Sequence, residues 1–209
     1  MLTLEKMNTD YWNREGAAKT FTHELFPKWV EDIPVDCTVL DFGCGYGRIT
    51  KQLHSLGFEN IIGFDTSSSM ISRARAENKG PRYTSQIRNV LKHKYGLVIC
   101  FALFTSCPDP EAQLEIKEII DKQTSNTSCL YISDYLISEN PHYSEKYEQK
   151  ALGIFGCFGT IDTVLFRHHE KDHFSKLFSE WTLINRRTIA GKTMNGNKIN
   201  MSQLLYKKG

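Results

Sequence analysis

VLDFGCGYGRIT, residues Val39 to Thr50, is the stretch on which the reading of this chain turns. Three glycines, Gly43, Gly45 and Gly47, fall within five residues, directly after a short apolar run that carries Asp41. The pattern predicts a buried strand over Thr38–Phe42, a glycine turn, and a helix over Tyr46–Leu56. Such a turn lets a ligand approach the bare backbone, while the free amides and the helix dipole present positive potential. Tight strand-to-helix packing without a ligand is the plainer alternative.

Working outward, apolar runs and helical periods alternate. Ile61–Asp65 reads as a second strand and Ser67–Ala76 as a helix whose serines can accept first-turn amides. Arg82–Ile87, Leu97–Ala102 and Cys129–Asp134 read as further strands, with a helix over Glu111–Lys122. Phe21, Leu25 and Trp29 stand at helical spacing and predict an amphipathic helix over Ala17–Val30. The alternation implies an α/β fold, a mostly parallel sheet with helices on both faces. After Leu136 the rhythm changes. Asn140–Gly159 reads as an insertion, Thr163–Phe166 as a short strand and Asp172–Phe178 as a short helix. Trp181–Ile189 and Lys198–Tyr206 read as a closing antiparallel pair, with Asn195-Gly196 suited to a tight hairpin turn.

Bulk properties narrow the classes. The chain has 209 residues, 40% hydrophobic and 24% charged, which is ordinary for one globular domain. A formal net charge of +2 and dispersed basic residues give no pull toward nucleic acid or acidic membranes. The apolar run Leu97–Phe104 is too short to span a bilayer, and MLTLEKMNTD lacks a signal-peptide core, so a cytoplasmic location is expected. The six cysteines show no metal or disulfide spacing and read as small buried hydrophobes. No metal site is expected.

Two acids sharpen the ligand. Asp41 ends the first strand, where a cationic group would meet it, and Asp65 closes the second, 20 residues after Gly45. That is about the spacing at which an acid accepts from ribose hydroxyls. A dinucleotide fingerprint needs a glycine where Arg48 stands, and Asp41 would oppose a pyrophosphate. A ribose beside an ammonium suits both acids, as in S-adenosylmethionine.

LDFGCGYGR resembles the first motif of class I S-adenosylmethionine-dependent methyltransferases, and IIGFDTSSSMISRAR the second. GLVICFALFTSCPD is similar to the strand and loop that line their substrate face; LYISDYL, FRHHE and TMNGN are similar to a bacterial small-molecule group. The resemblance runs over residues 10 to 209. It implies a Rossmann-like, doubly wound, seven-stranded sheet, mostly parallel with a C-terminal antiparallel hairpin. One domain, residues 1–209, would carry a helical lid over about residues 1–35 and an insertion over the cleft at about 140–160.

The same resemblance implies that Gly43, Cys44 and Gly45 contact the methionine part of the cofactor and that Asp41 helps to hold its ammonium. Asp65 would bind the ribose diol, with Thr66 and Met70 beside the adenine and Gln86 and Ile87 flanking it. Phe101 and Ala102 would lie under the methionine and ribose. Tyr11 and Trp12 would form part of the lid, or else pack the first helix. Three departures stand out. Gln86 lacks the acid often found near it, Gly96 replaces the acid that opens the fourth strand, and Thr124-Ser125-Asn126-Thr127 replaces a Pro-Gly-Gly turn.

For the methyl acceptor, His168 and His169 are adjacent on an extended run, so one of them could face a pocket and act as a base. Surface or capping roles are the alternative. Asp134 and Tyr135 end the fifth strand and could hydrogen-bond an acceptor or merely shape a turn. Phe155 and Phe158 offer apolar cover, and Asn195 and Asn197 flank the hairpin glycine. Without a basic stripe or a stacking module for nucleic acid, a small-molecule acceptor is expected, methylated on O, N or S and leaving S-adenosylhomocysteine. A monomer or homodimer is expected. A non-catalytic sensor or partner subunit that binds the cofactor, and an NAD-dependent dehydrogenase, are the alternatives.

Overall fold

Val39, Leu40, Asp41 and Phe42 are all buried, because this strand lies in the middle of a sheet covered on both faces. The computed structural model describes residues 8–160, 164–193 and 195–209. In chain order the elements are α1 (Thr9–Glu15), β1 (Val39–Phe42), α2 (Arg48–Ser55), β2 (Ile61–Phe64), α3 (Ser68–Glu77), β3 (Arg82–Thr84), α4 (Ile87–Val90), β4 (Tyr95–Phe101) and α5 (Pro110–Gln123). Then follow β5 (Thr124–Tyr135), α6 (Pro141–Tyr147), β6 (Cys157–Gly159), β7 (Leu165–Arg167), α7 (His173–Leu177), β8 (Trp181–Lys192) and β9 (Lys198–Lys208).

The main sheet has seven strands in the order β3-β2-β1-β4-β5-β9-β8. β1 pairs in parallel with β2, Val39 opposite Ile61, and with β4, Val39 opposite Leu97. β9 runs antiparallel to both β5 and β8. The strand alternation sorts residues between two cores. Leu40, Phe42, Val98, Cys100, Leu130 and Ile132 face one side with α5 and α7; Val39, Leu97, Ile99, Phe101 and Tyr131 face the other with α2. The expected α/β sheet and its closing hairpin are therefore present. Between β8 and β9, Gly196 supplies a φ of +81°. No helix among the described residues is long and apolar enough to cross a membrane.

Several boundaries differ from the sequence reading. Helix α1 carries Tyr11 and Trp12, which were expected to precede the first helix. Over residues 17–30 the expected long helix is absent: a 3₁₀ turn at Gly16–Ala18 and another at Pro27–Trp29 bracket an extended segment. Side chains of the body replace the helical ladder there. Phe21 N–H donates to the Tyr46 hydroxyl (3.1 Å), Leu25 N–H to Gln52 Oε1 (3.2 Å) and Phe26 N–H to the Tyr131 hydroxyl (3.1 Å). Pro27 removes one further helical donor. β3 ends at Thr84, so Gln86 and Ile87 open α4 instead of extending a strand. β5 starts at Thr124, and the segment that departs from the Pro-Gly-Gly turn belongs to this strand. Thr163 and Met194 lie outside the described residues. All six cysteines are free, but Cys37 and Cys129 are only half-buried.

Tyr131 fastens the extended segment, accepting from Phe26 and donating to Gln203 Oε1 at 3.0 Å. Tyr131→Phe leaves a partly buried amide unpaired and should lower stability by about 1–3 kcal/mol in urea unfolding. An unchanged unfolding midpoint would show that this bond contributes nothing.

Candidate active site

At the carboxyl ends of β1 and β2 the glycine turn adopts a conformation that ordinary residues resist. Gly43, Gly45 and Gly47 have φ of +77°, +53° and +81°. A Cβ on Gly43 would meet Leu103 Cδ1 at 2.9 Å, and one on Gly47 the Tyr83 hydroxyl at 2.7 Å. At Gly45 a Cβ would meet nothing nearer than Met70 Cε at 4.0 Å. Its bare backbone faces an open cleft enclosing about 790 Å³, part of it open to solvent.

Two carboxylates stand in that cleft. Asp65 Oδ2 accepts from Gly45 N–H (2.9 Å) and Oδ1 from Ser67 N–H (2.8 Å), so it clamps the glycine turn to the exit of β2. Asp41, fully buried, accepts from Thr50 Oγ1 at 2.6 Å. Burial pushes both carboxyls up to about 6, against the opposing hydrogen bonds. Ser67 caps α3, its hydroxyl accepting from Met70 N–H at 3.1 Å.

Of the residues expected around the cofactor, Trp12, Asp41, Gly43, Cys44, Gly45, Asp65, Thr66, Met70, Phe101 and Ala102 line the cleft. Tyr11, Gln86 and Ile87 do not. Tyr11 packs edge-on against Trp12 and Phe166, Gln86 precedes the first turn of α4, and Ile87 packs on the main core. Two basic side chains that the sequence reading passed over also line the cleft. His23 lies parallel to Phe101, with ring centroids 5.6 Å apart and neither ring nitrogen partnered. Burial lowers its pKa to about 3. Arg48 Nη1 is likewise buried without a partner. Arg48 was visible in the quoted stretch, but only as a missing glycine.

A second cavity of about 550 Å³ adjoins the cleft. Trp12, Phe21, Ala102 and Ser106 line both. Helix α6, β6 and the β8–β9 hairpin wall the second space with Tyr143, Lys146, Phe158, Asn195 and Asn197, and β5 adds Tyr135. Phe155 is not in this wall; it is exposed, with its ring against Tyr147.

His168 and His169 point to opposite sides. His168 lines the second cavity within a box of Tyr143 (4.8 Å), Phe158 (5.0 Å) and Tyr135 (5.6 Å). Its Nδ1 lies 2.7 Å from the Tyr147 hydroxyl. That hydroxyl also accepts from Ser138 N–H at 3.2 Å. Burial lowers the His168 pKa to about 3, so the ring is neutral, one nitrogen donating and the other accepting. The expected base therefore has little affinity for a proton. His169 is buried away from the cavity, with Nε2 3.2 Å from Gln113 Nε2 and its ring stacked on His173. Asp134 is also off the cavity. It accepts from Phe104 N–H (2.9 Å), Thr105 N–H (3.2 Å) and Tyr135 N–H (2.8 Å), and so holds the loop after β4. Neither His169 nor Asp134 lines either cavity. Their polarity serves the interior. Among the described residues no cluster of His, Cys, Asp or Glu could hold a metal ion.

Residues 39–122 match a family described as "Methyltransferase domain". No curated protein is significantly similar in sequence. Among solved structures, a S-adenosylmethionine-dependent methyltransferase from Methanosarcina mazei is 21% identical, with a TM-score of 0.77 over 89% of this chain and 99% of the other. Another from Anabaena variabilis is 14% identical, TM-score 0.72, covering 100% of this chain and 96% of that one. Magnesium protoporphyrin IX methyltransferase from Synechocystis, with bound S-adenosylhomocysteine, is 19% identical, TM-score 0.68, covering 99% and 100%. Over residues 39–122 this chain matches a methyltransferase domain, and its fold is that of solved S-adenosylmethionine-dependent methyltransferases, one of them holding S-adenosylhomocysteine.

Proposed function

We propose that the protein moves a methyl group from S-adenosylmethionine to an O, N or S atom of a small organic molecule. The observation that carries this reading is the pair of adjoining cavities, one with two carboxylates and bare backbone, the other walled by aromatic rings.

The first cleft fits the cofactor by its donor set. Each Asp65 oxygen has one amide partner, and a carboxylate has about four acceptor positions, which leaves capacity for a ribose diol. Gly43, Cys44 and Gly45 offer backbone to the methionine part, with the Asp41 charge behind them for an ammonium. The unpartnered Arg48 Nη1 and the one N–H of the neutral His23 ring fit a carboxylate, which would satisfy both buried donors. Thr66 and Met70 are left for the adenine, with Trp12 as part of a lid. When bound, the cofactor supplies an electrophilic methyl on a sulfonium.

What the chain itself contributes is position and dryness. The wall shared by Trp12, Phe21, Ala102 and Ser106 brings two guests together. Burial pushes the Tyr135 hydroxyl upward, so it stays protonated. With the His168 pKa lowered to about 3 as well, neither side chain readily takes a proton from the acceptor.

Asp65→Ala should weaken S-adenosylhomocysteine binding by about 1–3 kcal/mol in titration calorimetry, with the fold verified by circular dichroism. Equal affinity in the folded variant would remove the ribose assignment and the reading built on it.

Affinity should also depend on pH. Burial holds Asp41 and Asp65 near 6 in the free protein, and a guest bearing an ammonium and hydroxyl donors favours their charged forms. Binding of S-adenosylhomocysteine should therefore be flat above about pH 7 and weaken as the pH falls through about 6. Calorimetry between about pH 5 and pH 8 tests this, and affinity rising toward acid would contradict it.

A further inference from the structure

The second cavity has a polarity of its own. Tyr143, Phe158 and Phe166 give it flat apolar walls, and among the described residues no Asp or Glu lines it. Lys146, on α6, is the one ammonium among the described lining residues, its Nζ 5.6 Å from the Tyr143 ring centroid and 5.7 Å from that of Phe158. Among the described residues Lys146 makes no ion pair; its Nζ lies 3.0 Å from His142 Nε2. The Lys146 charge also bears on His168, adding to the burial that keeps the ring unprotonated. The Nδ1 of that neutral ring lies 2.7 Å from the Tyr147 hydroxyl. Thr160 Oγ1, in the same lining, is buried without a partner.

Donors, one positive charge and aromatic walls together describe a guest. A cation would gain from the rings but face the Lys146 ammonium, with no carboxylate among the described lining residues to offset it. A neutral ring would leave the donors unanswered. An anion on a flat ring meets both demands. Resting on the reading above for the location of the acceptor, we propose that the second cavity takes a small aromatic acid, its ring among Tyr143, Phe158 and Phe166 and its anionic oxygen on the Lys146 ammonium. Such a guest also suits a cavity whose Tyr135 and His168 do not readily take a proton.

Three probes of one shape separate the possibilities: benzoate, benzamide and benzylamine, titrated into the full chain with and without saturating S-adenosylhomocysteine. Benzoate should bind about tenfold or more tightly than benzamide, and benzylamine most weakly. Lys146→Met should remove most of that preference while S-adenosylhomocysteine affinity stays at the wild-type value, which also reports that the variant is folded. Lys146→Glu should turn the order toward benzylamine. Equal binding of benzoate and benzamide, no binding of any probe, or an undiminished preference in Lys146→Met overturns the proposal. Failure of the wild-type protein to bind S-adenosylhomocysteine would instead strike the cofactor reading, and the order of the three probes would still decide this one.

Discussion

One carboxylate holds two loops in register. Asp65 sits between Gly45 N–H and Ser67 N–H, so the turn after β1 and the turn after β2 share a single acceptor. The arrangement is possible only because the first turn runs through left-handed φ at three glycines, bringing its amides inward. Gly43 and Cys44 N–H both donate to the Phe64 carbonyl, at 2.8 and 2.9 Å, which closes the turn on the same strand end. The floor of the cleft follows from these few bonds. It is a polar floor in a buried place, and its carboxyls are correspondingly reluctant to ionise.

The N-terminal segment is hung from that floor. Thr9 Oγ1 donates to Thr66 Oγ1 (3.0 Å), Asn13 Oδ1 accepts from Ser67 Oγ (2.9 Å), and Arg73 Nη1 donates to the Lys19 carbonyl (2.9 Å). The Arg73 guanidinium also lies 4.0 Å from the Tyr46 ring centroid. On the far side, the Asn8 amide donates to the Leu165 carbonyl on β7. The segment thus bridges α3, beside the first cleft, and the small β6–β7 sheet, beside the second cavity. Its conformation is set by partners distant in sequence, not by its own helical period.

This contrast explains what the sequence could reveal. β1, β2 and β4 are continuous apolar runs because both faces are covered, and the glycines mark the turn between β1 and α2. Those features are local. The inward faces of Phe21 and Leu25 are local too, but the side chains that take up their amides come from residues 46 and 52, which no period discloses. His23, Arg48 and Lys146 become neighbours of a cavity only through the topology. Asp134 and His169 illustrate the converse. A polar residue at the exit of a strand suggests chemistry, yet Asp134 is spent on three amides and His169 on Gln113 inside the body. Gln86 and Ile87 stand where an adenine-flanking strand end was expected, but β3 stops two residues short of Gln86 and the chain turns into α4.

Trp12 and Phe21 belong to one short tether and wall both chambers. The two chambers are therefore not separable by mutation at this boundary: a change in the size of either ring reshapes both at once.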